Sequence, residues 1–243
     1  MYLKRNKIFF SIMLLVVFLV AGFWGFGKTI LGSCPAGLSR DESFIGDLRG
    51  LFSGESSYSP VEQIPEEERT VPDLILLGAR SEVTNGTRYD ASYVSIDYPA
   101  GDVDPDAGAC TDVVIRAFRH AGIDLQQLIH EDMRENFQLY PDNWGLKAPD
   151  PNIDHRRVPN QMLFFERFGT ALTLQVEDHL QEWRWGDVVY WRFVDGREHC
   201  GIISDRTGRD GVPLVIHNAG IAREENCLQR WEIIGHFRYP DRE

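Results

Sequence analysis

The chain has 243 residues, 43% of them hydrophobic, and carries 25 Lys and Arg against 37 Asp and Glu, a formal net charge of −12. These fractions belong to a globular protein of one domain with a tail, or two small ones, and exclude wholesale disorder. The acid excess excludes a generic nucleic-acid binder, which needs a basic stripe to displace phosphate counterions. Four cysteines with no Cys-x-x-Cys pair exclude a disulfide scaffold, a zinc ribbon and a thioredoxin-type motif.

The charge is unevenly spread. Residues 1–34 hold Lys4, Arg5, Lys7 and Lys28 with no acid, a net of +4, so residues 35–243 carry −16. Three of those cations precede an uncharged run of 20 residues, Ile8 to Gly27, rich in Phe, Leu, Val and Ile. A bilayer core of ~30 Å needs ~20 apolar helical residues, whereas the apolar part of a secretory signal is about 7–15. The length favours an uncleaved anchor over a cleaved signal. The leading positive charges stay cytoplasmic, which puts the acidic body outside the cytoplasm. Leu31, Gly32, Ser33 and Cys34 loosely resemble a lipoprotein cleavage box, although Lys28 interrupts the apolar run just before it.

Residues 35–70 read as a linker, with Gly37, Gly46, Gly50, Gly54, Pro60 and Pro65 among its residues, a serine cluster and the acidic run Glu66, Glu67, Glu68; a short helix over Ser43–Phe52 is the one element suggested there. The folded domain is expected over 71–243. Pro72 and Asp73 open a helix that ends near Asn85-Gly86. A second helix begins near Cys110, with Val113, Val114, Ala117, Phe118 and Ala121 at helical spacing and Gly122 as its cap. Asp124–Tyr140 and Asn160–Phe168 read as further helices. Then the period changes: Asp187–Val194 and Glu198–Ser204 form a hairpin about Asp195-Gly196, followed by strands at Pro213–Asn218 and Ile233–Tyr239. Helices first and an antiparallel meander afterwards give an α+β fold.

Cys110 opens its helix. There the macrodipole and the unpaired N–H groups of the first turn stabilise a thiolate and can receive an oxyanion. A cysteine nucleophile needs a base, and the base needs an orienting partner. His199 and His217 fall on adjacent antiparallel strands ~4.8 Å apart, close enough for same-facing rings to hydrogen-bond. Each residue alone reads more readily as structural, Cys110 as a buried small hydrophobe and either histidine as a satisfied core or surface residue. A zinc site on Cys110, His199 and His217 is an alternative that lacks an obvious fourth ligand. Cys200 is expected on the opposite strand face from His199, and a Cys200–Cys227 disulfide is conceivable in an oxidising compartment. The run Asp102, Val103, Asp104, Pro105, Asp106 mimics the start of an EF-hand loop but has Ala107 at position 6 and Val113 at position 12.

Four pieces in this order resemble the NlpC-type branch of the papain-like cysteine peptidases. They are a first helix leading to Gly86-Thr87-Arg88-Tyr89, with Arg88 where that branch has Pro; Ala109-Cys110-Thr111-Asp112, of which only Cys110 is identical to its Asp-Cys-Ser-Gly motif, Asp112 standing where it has Gly; Trp185-Gly186-Asp187-Val188-Val189; and His199-Cys200-Gly201-Ile202 followed by Ile216-His217. The likeness spans roughly 72–239. The segments 110–119, 152–161 and 235–240 further resemble a bacterial family of unknown function within that superfamily.

The resemblance implies a papain-like domain with a helical insert over 125–168. It implies a hydrolase of amide bonds in peptidoglycan stem peptides that needs no cofactor, with Cys110 as nucleophile, His199 as base, His217 as third residue and Tyr89 near the thiolate. Asp187 is expected to fix a turn. In the insert, His155, Arg156 and Arg157 can either clamp a substrate carboxylate or pair with Asp154, and Trp144 can line a groove or join the core. Acyl transfer by the same triad, and a wall-binding module without activity, are the alternative functions.

Overall fold

The computed structural model describes residues 58–240. The apolar run 8–27, Cys34, the Ser43–Phe52 helix and the linker as far as residue 57 lie outside the described residues. Among the described residues no helix is long and apolar enough to cross a membrane.

The fold is α+β. Helix α1 (Val71–Asn85) begins where Asp73 accepts the Thr70 backbone N–H at 2.7 Å, and ends at Gly86, whose φ of +64° supplies the left-handed cap. Strands β1 (Arg88–Tyr89) and β2 (Ala107–Gly108) form a short parallel pair ahead of α2 (Cys110–His120). Helices α3 (Leu125–Asn136) and α4 (Val158–Phe168) make up the insert. The sheet follows: β3 (Thr170–Ala171), β4 (Val188–Arg192), β5 (Glu198–Thr207), β6 (Pro213–Asn218), β7 (Ala222–Glu225) and β8 (Glu232–Arg238). Its six strands lie antiparallel in the order β3-β8-β4-β5-β6-β7.

Both faces of this sheet are covered. On one, α1 and α2 pack together against β5, burying Ile75, Val114, Phe118, Tyr190, Cys200, Ile202 and Ile216. On the other, Val176, Trp183, Val189, Trp191, Ile203, Val215 and Leu228 form a second core beneath the irregular segments before β4 and after β7. Val188–Trp191 is therefore an unbroken buried run instead of an alternating one. Asp187 accepts from Arg184 N at 3.0 Å and from two nitrogens of Arg238, each at 2.7 Å, which ties the turn before β4 to β8.

The end of the expected linker belongs to the domain. Val61 is fully buried, and the Asp205 carboxylate accepts from Ser59 Oγ at 2.6 Å and Val61 N at 2.9 Å. One further expectation gives way. The third helix stops as α3 at Asn136 and continues only as a 3₁₀ turn, Phe137–Leu139. The EF-hand mimic is an ion-pair platform in which Asp102 receives Arg116 at 3.0 Å and Arg119 at 3.1 Å.

Candidate active site

Cys110 is the first residue of α2, 5% exposed. What fixes this helix start is Asp112. Its Oδ2 accepts the Ala109 backbone N–H at 2.6 Å, while both its oxygens take the Arg156 fork, Nε to Oδ1 at 2.8 Å and Nη2 to Oδ2 at 2.9 Å. Thr111 Oγ1 donates to the Arg156 carbonyl at 2.9 Å. Asp112 and Thr111 are thus the residues through which the insert grips the helix carrying the cysteine.

This corrects the expected substrate-binding role of the insert loop. Arg156 has a side chain only 2% exposed and also donates to the Ser92 carbonyl at 2.8 Å, so its donors are committed. His155 is buried, and burial first, then the nearby Arg156, lowers its pKa to about 3. Arg157 pairs with Asp154 at 3.1 Å and lies 4.0 Å over the Trp144 ring. The ion pair that pins the insert is the arrangement found, and none of the three is a free carboxylate clamp. Arg156→Ala leaves the Asp112 charge buried and unpaired, so a loss of about 3–5 kcal/mol in denaturant unfolding is expected. Arg156→Lys should recover only part, because an ammonium cannot reproduce the bidentate fork. Unchanged stability with weakened substrate binding would restore the clamp.

The two histidines meet. His199 Nε2 and His217 Nδ1 lie 2.8 Å apart, with the rings nearly perpendicular at 89°. Gly201 makes this approach possible: it pairs with His217 across β5 and β6, and a Cβ there would sit 2.7 Å from the Ile216 carbonyl oxygen. Trp191 stacks on His199 with centroids 5.8 Å apart, and Trp231 lies 5.9 Å from each imidazole, so aromatic faces enclose the pair. On its far side His217 Nε2 meets Glu225 Oε1 at 2.9 Å, and Arg230 meets the same oxygen at 2.8 Å. Sequence reasoning missed Glu225. Asn218 points elsewhere, donating to the Thr87 and Gly108 carbonyls at 3.2 and 3.0 Å.

Cys200 gains a neighbour that alternation alone does not show. It does lie on the opposite strand face from His199, but that face is the one α2 covers, and the Cys200 thiol comes within hydrogen-bonding reach of Cys110. Donation by Cys200, helped by a hydrogen bond and charge from His199, holds the Cys110 thiol well below its ordinary range despite burial. Burial, with the Cys110 charge beside it, pushes Cys200 well up. Cys227 lies in the other core, all three cysteines are free, and the Cys200–Cys227 disulfide is absent. Iodoacetamide labelling of Cys110 should therefore rise with pH to a plateau reached below the free-thiol value of about 8.5. An inflection at or above that value would remove the activation.

Cys110 opens on a cleft of about 390 Å³ walled by Tyr89, Asn143, Trp144, Pro159, Gly196 and Glu198. Tyr89 and Trp144 are 46% and 41% exposed, so both offer aromatic surface to a ligand beside the sulfur. Trp144 also walls a second cavity of about 230 Å³ within the insert. His217, Glu225 and Cys227 bring ligand atoms within 4.8 Å of one another, but Glu225 Oε1 there already accepts from Arg230 at 2.8 Å.

Residues 76–239 match the family described as Domain of unknown function (DUF1287). The chain belongs to this family. It is also 48% identical over 163 residues to the "Uncharacterized protein YijF" of Escherichia coli (strain K12), a match covering 67% of this chain and 78% of that one. The matched stretch contains Cys110, His199, His217 and Glu225.

Proposed function

We propose that this DUF1287 protein is a cysteine hydrolase of NlpC-type, papain-like design that cleaves amide bonds in peptidoglycan stem peptides. The observation that carries the reading is the placement of Cys110 at the N-terminus of α2 and on a cleft, interacting with a histidine whose Nε2 is held by another histidine at 2.8 Å. His199 takes the Cys110 proton, the thiolate attacks the carbonyl carbon, and N–H groups of the first turn of α2 stand ready for the oxyanion. His199 then protonates the leaving amine, and water, deprotonated by His199, releases the acyl group from sulfur. The exposed rings of Tyr89 and Trp144 beside Cys110 offer aromatic surface on which a peptide can lie.

The peptidoglycan assignment rests on the resemblance and on the cationic, apolar start of the chain, which would tether the domain at the outer face of the inner membrane. A periplasm-dependent reporter fused after residue 70 is expected to be active and a cytoplasm-dependent one silent; the reverse would sink both topology and substrate. Digestion of purified peptidoglycan by the full chain, read by fragment mass, tests the activity. Binding without new fragments would select the wall-binding module, and fragments joined to an added amine would select acyl transfer.

A further inference from the structure

We propose that Glu225 is a positioning residue that sets the tautomers of both site histidines, so that the nitrogen left to accept the Cys110 proton is Nδ1 of His199. The inference rests on the reading of Cys110 and His199 as nucleophile and base. It extends the expected triad by a fourth residue, Cys110–His199–His217–Glu225, drawn from the strand beyond the one that holds His217.

The reasoning is a count of protons. A neutral imidazole has one N–H, and the 2.8 Å contact between His199 Nε2 and His217 Nδ1 needs one donor and one acceptor. Two arrangements satisfy it. In the first, His199 Nε2–H donates to a bare His217 Nδ1; His217 then carries its proton on Nε2, and His199 Nδ1 is bare. In the second, His217 Nδ1–H donates to His199 Nε2; His217 Nε2 is then bare, and His199 carries its proton on Nδ1, where it cannot act as a base. The histidine pair alone does not choose between them.

Glu225 does. Its Oε1 lies 2.9 Å from His217 Nε2. A carboxylate only accepts, so the second arrangement would set a nitrogen lone pair against an oxygen lone pair at that distance. Double protonation of His217 offers no escape, since burial and the neighbouring His199 lower its pKa to about 4. Glu225 remains ionised: burial raises it, but hydrogen bonds from Arg230 and His217 outweigh this and hold it below the usual carboxylate range. The first arrangement is the one that fits. Its proton bookkeeping closes. The Cys110 proton moves to His199 Nδ1, His199 Nε2–H keeps donating to His217, and no proton passes to Glu225, whose charge faces the new imidazolium through His217.

The sharpest rival is that Glu225 merely pairs with Arg230 at the rim, where their side chains are 25% and 44% exposed. Nitrogen NMR of the full chain carrying isotope-labelled histidine separates the two. The wild type is expected to show both His199 and His217 protonated at Nε2 and bare at Nδ1. In Glu225→Gln the amide can turn its NH₂ toward His217 Nε2, so both rings should gain an Nδ1-protonated population. Alkylation of Cys110 at neutral pH should fall about tenfold, the equivalent of one pKa unit, and Glu225→Asp should recover part of it. A wild-type His217 protonated at Nδ1 would overturn the proposal without any variant. A folded Glu225→Gln chain with unchanged tautomers and alkylation would do the same. Neither readout needs turnover: a chain that cleaves no peptidoglycan yet shows these tautomers and this shift upholds the lock and overturns only the hydrolase reading.

Discussion

Cys110→Ala is expected to abolish release of peptide fragments from peptidoglycan, a loss of at least about 10⁴-fold, of the size seen when a catalytic nucleophile is removed. The thermal transition should move little, because alanine keeps the helix start and removes one atom from a site that borders the cleft. The helix start is held by Asp112, Arg156 and Thr111, none of which needs the sulfur. Cys110→Ser should be nearly as inactive, since a hydroxyl beside His199 has no depressed acidity to exploit. An alanine variant that still cleaves at the wild-type rate would mean that the chemistry lies elsewhere or that another protein in the preparation performs it.

His199→Ala should approach the same defect, with a loss of about 10²–10⁴-fold, because it removes both the general base and the acid that serves the leaving amine. His217 stands one hydrogen bond further from the reacting atoms. It orients His199 and disperses the charge of its imidazolium, and an amide can do part of this. The expected order of activity is therefore His217→Asn above His217→Ala above His199→Ala, measured as fragment release by protein of equal thermal stability. Equal defects for His199→Ala and His217→Asn would place both rings in the proton transfer. A harmless His199→Ala would remove the base.

Much of this site was legible in the chain. Helical spacing after Cys110 and the two strands carrying His199 and His217 come from local patterns, and the pairing of those strands brings the two imidazoles together. Gly201 carries a usable signal too, since a glycine two residues after a strand histidine marks a close approach of the neighbouring strand. What the chain could not show depends on which face of an element is covered. Alternation places Cys200 opposite His199, but only the packing of α2 on that face turns the opposite side into the neighbour of the sulfur. Arg156 and Asp112 lie 44 residues apart, and an exposed-looking basic loop reads as a ligand clamp until its partner is known. Glu225 sits on a four-residue edge strand among charged residues and was indistinguishable from solvated surface. Only the register of β6 and β7, with His217 opposite Arg223, brings its carboxylate to the imidazole.

The most direct test of Cys110 as the nucleophile of an amide hydrolase is digestion of purified peptidoglycan in water carrying heavy oxygen. The full chain and its Cys110→Ala variant are compared in parallel, and the fragments are weighed. The expected result is cleavage at one kind of amide bond by the wild type, with one heavy oxygen in each new carboxyl group and no such fragments from the variant. An intact polymer after wild-type treatment, or labelled fragments in equal amount from Cys110→Ala, would contradict it.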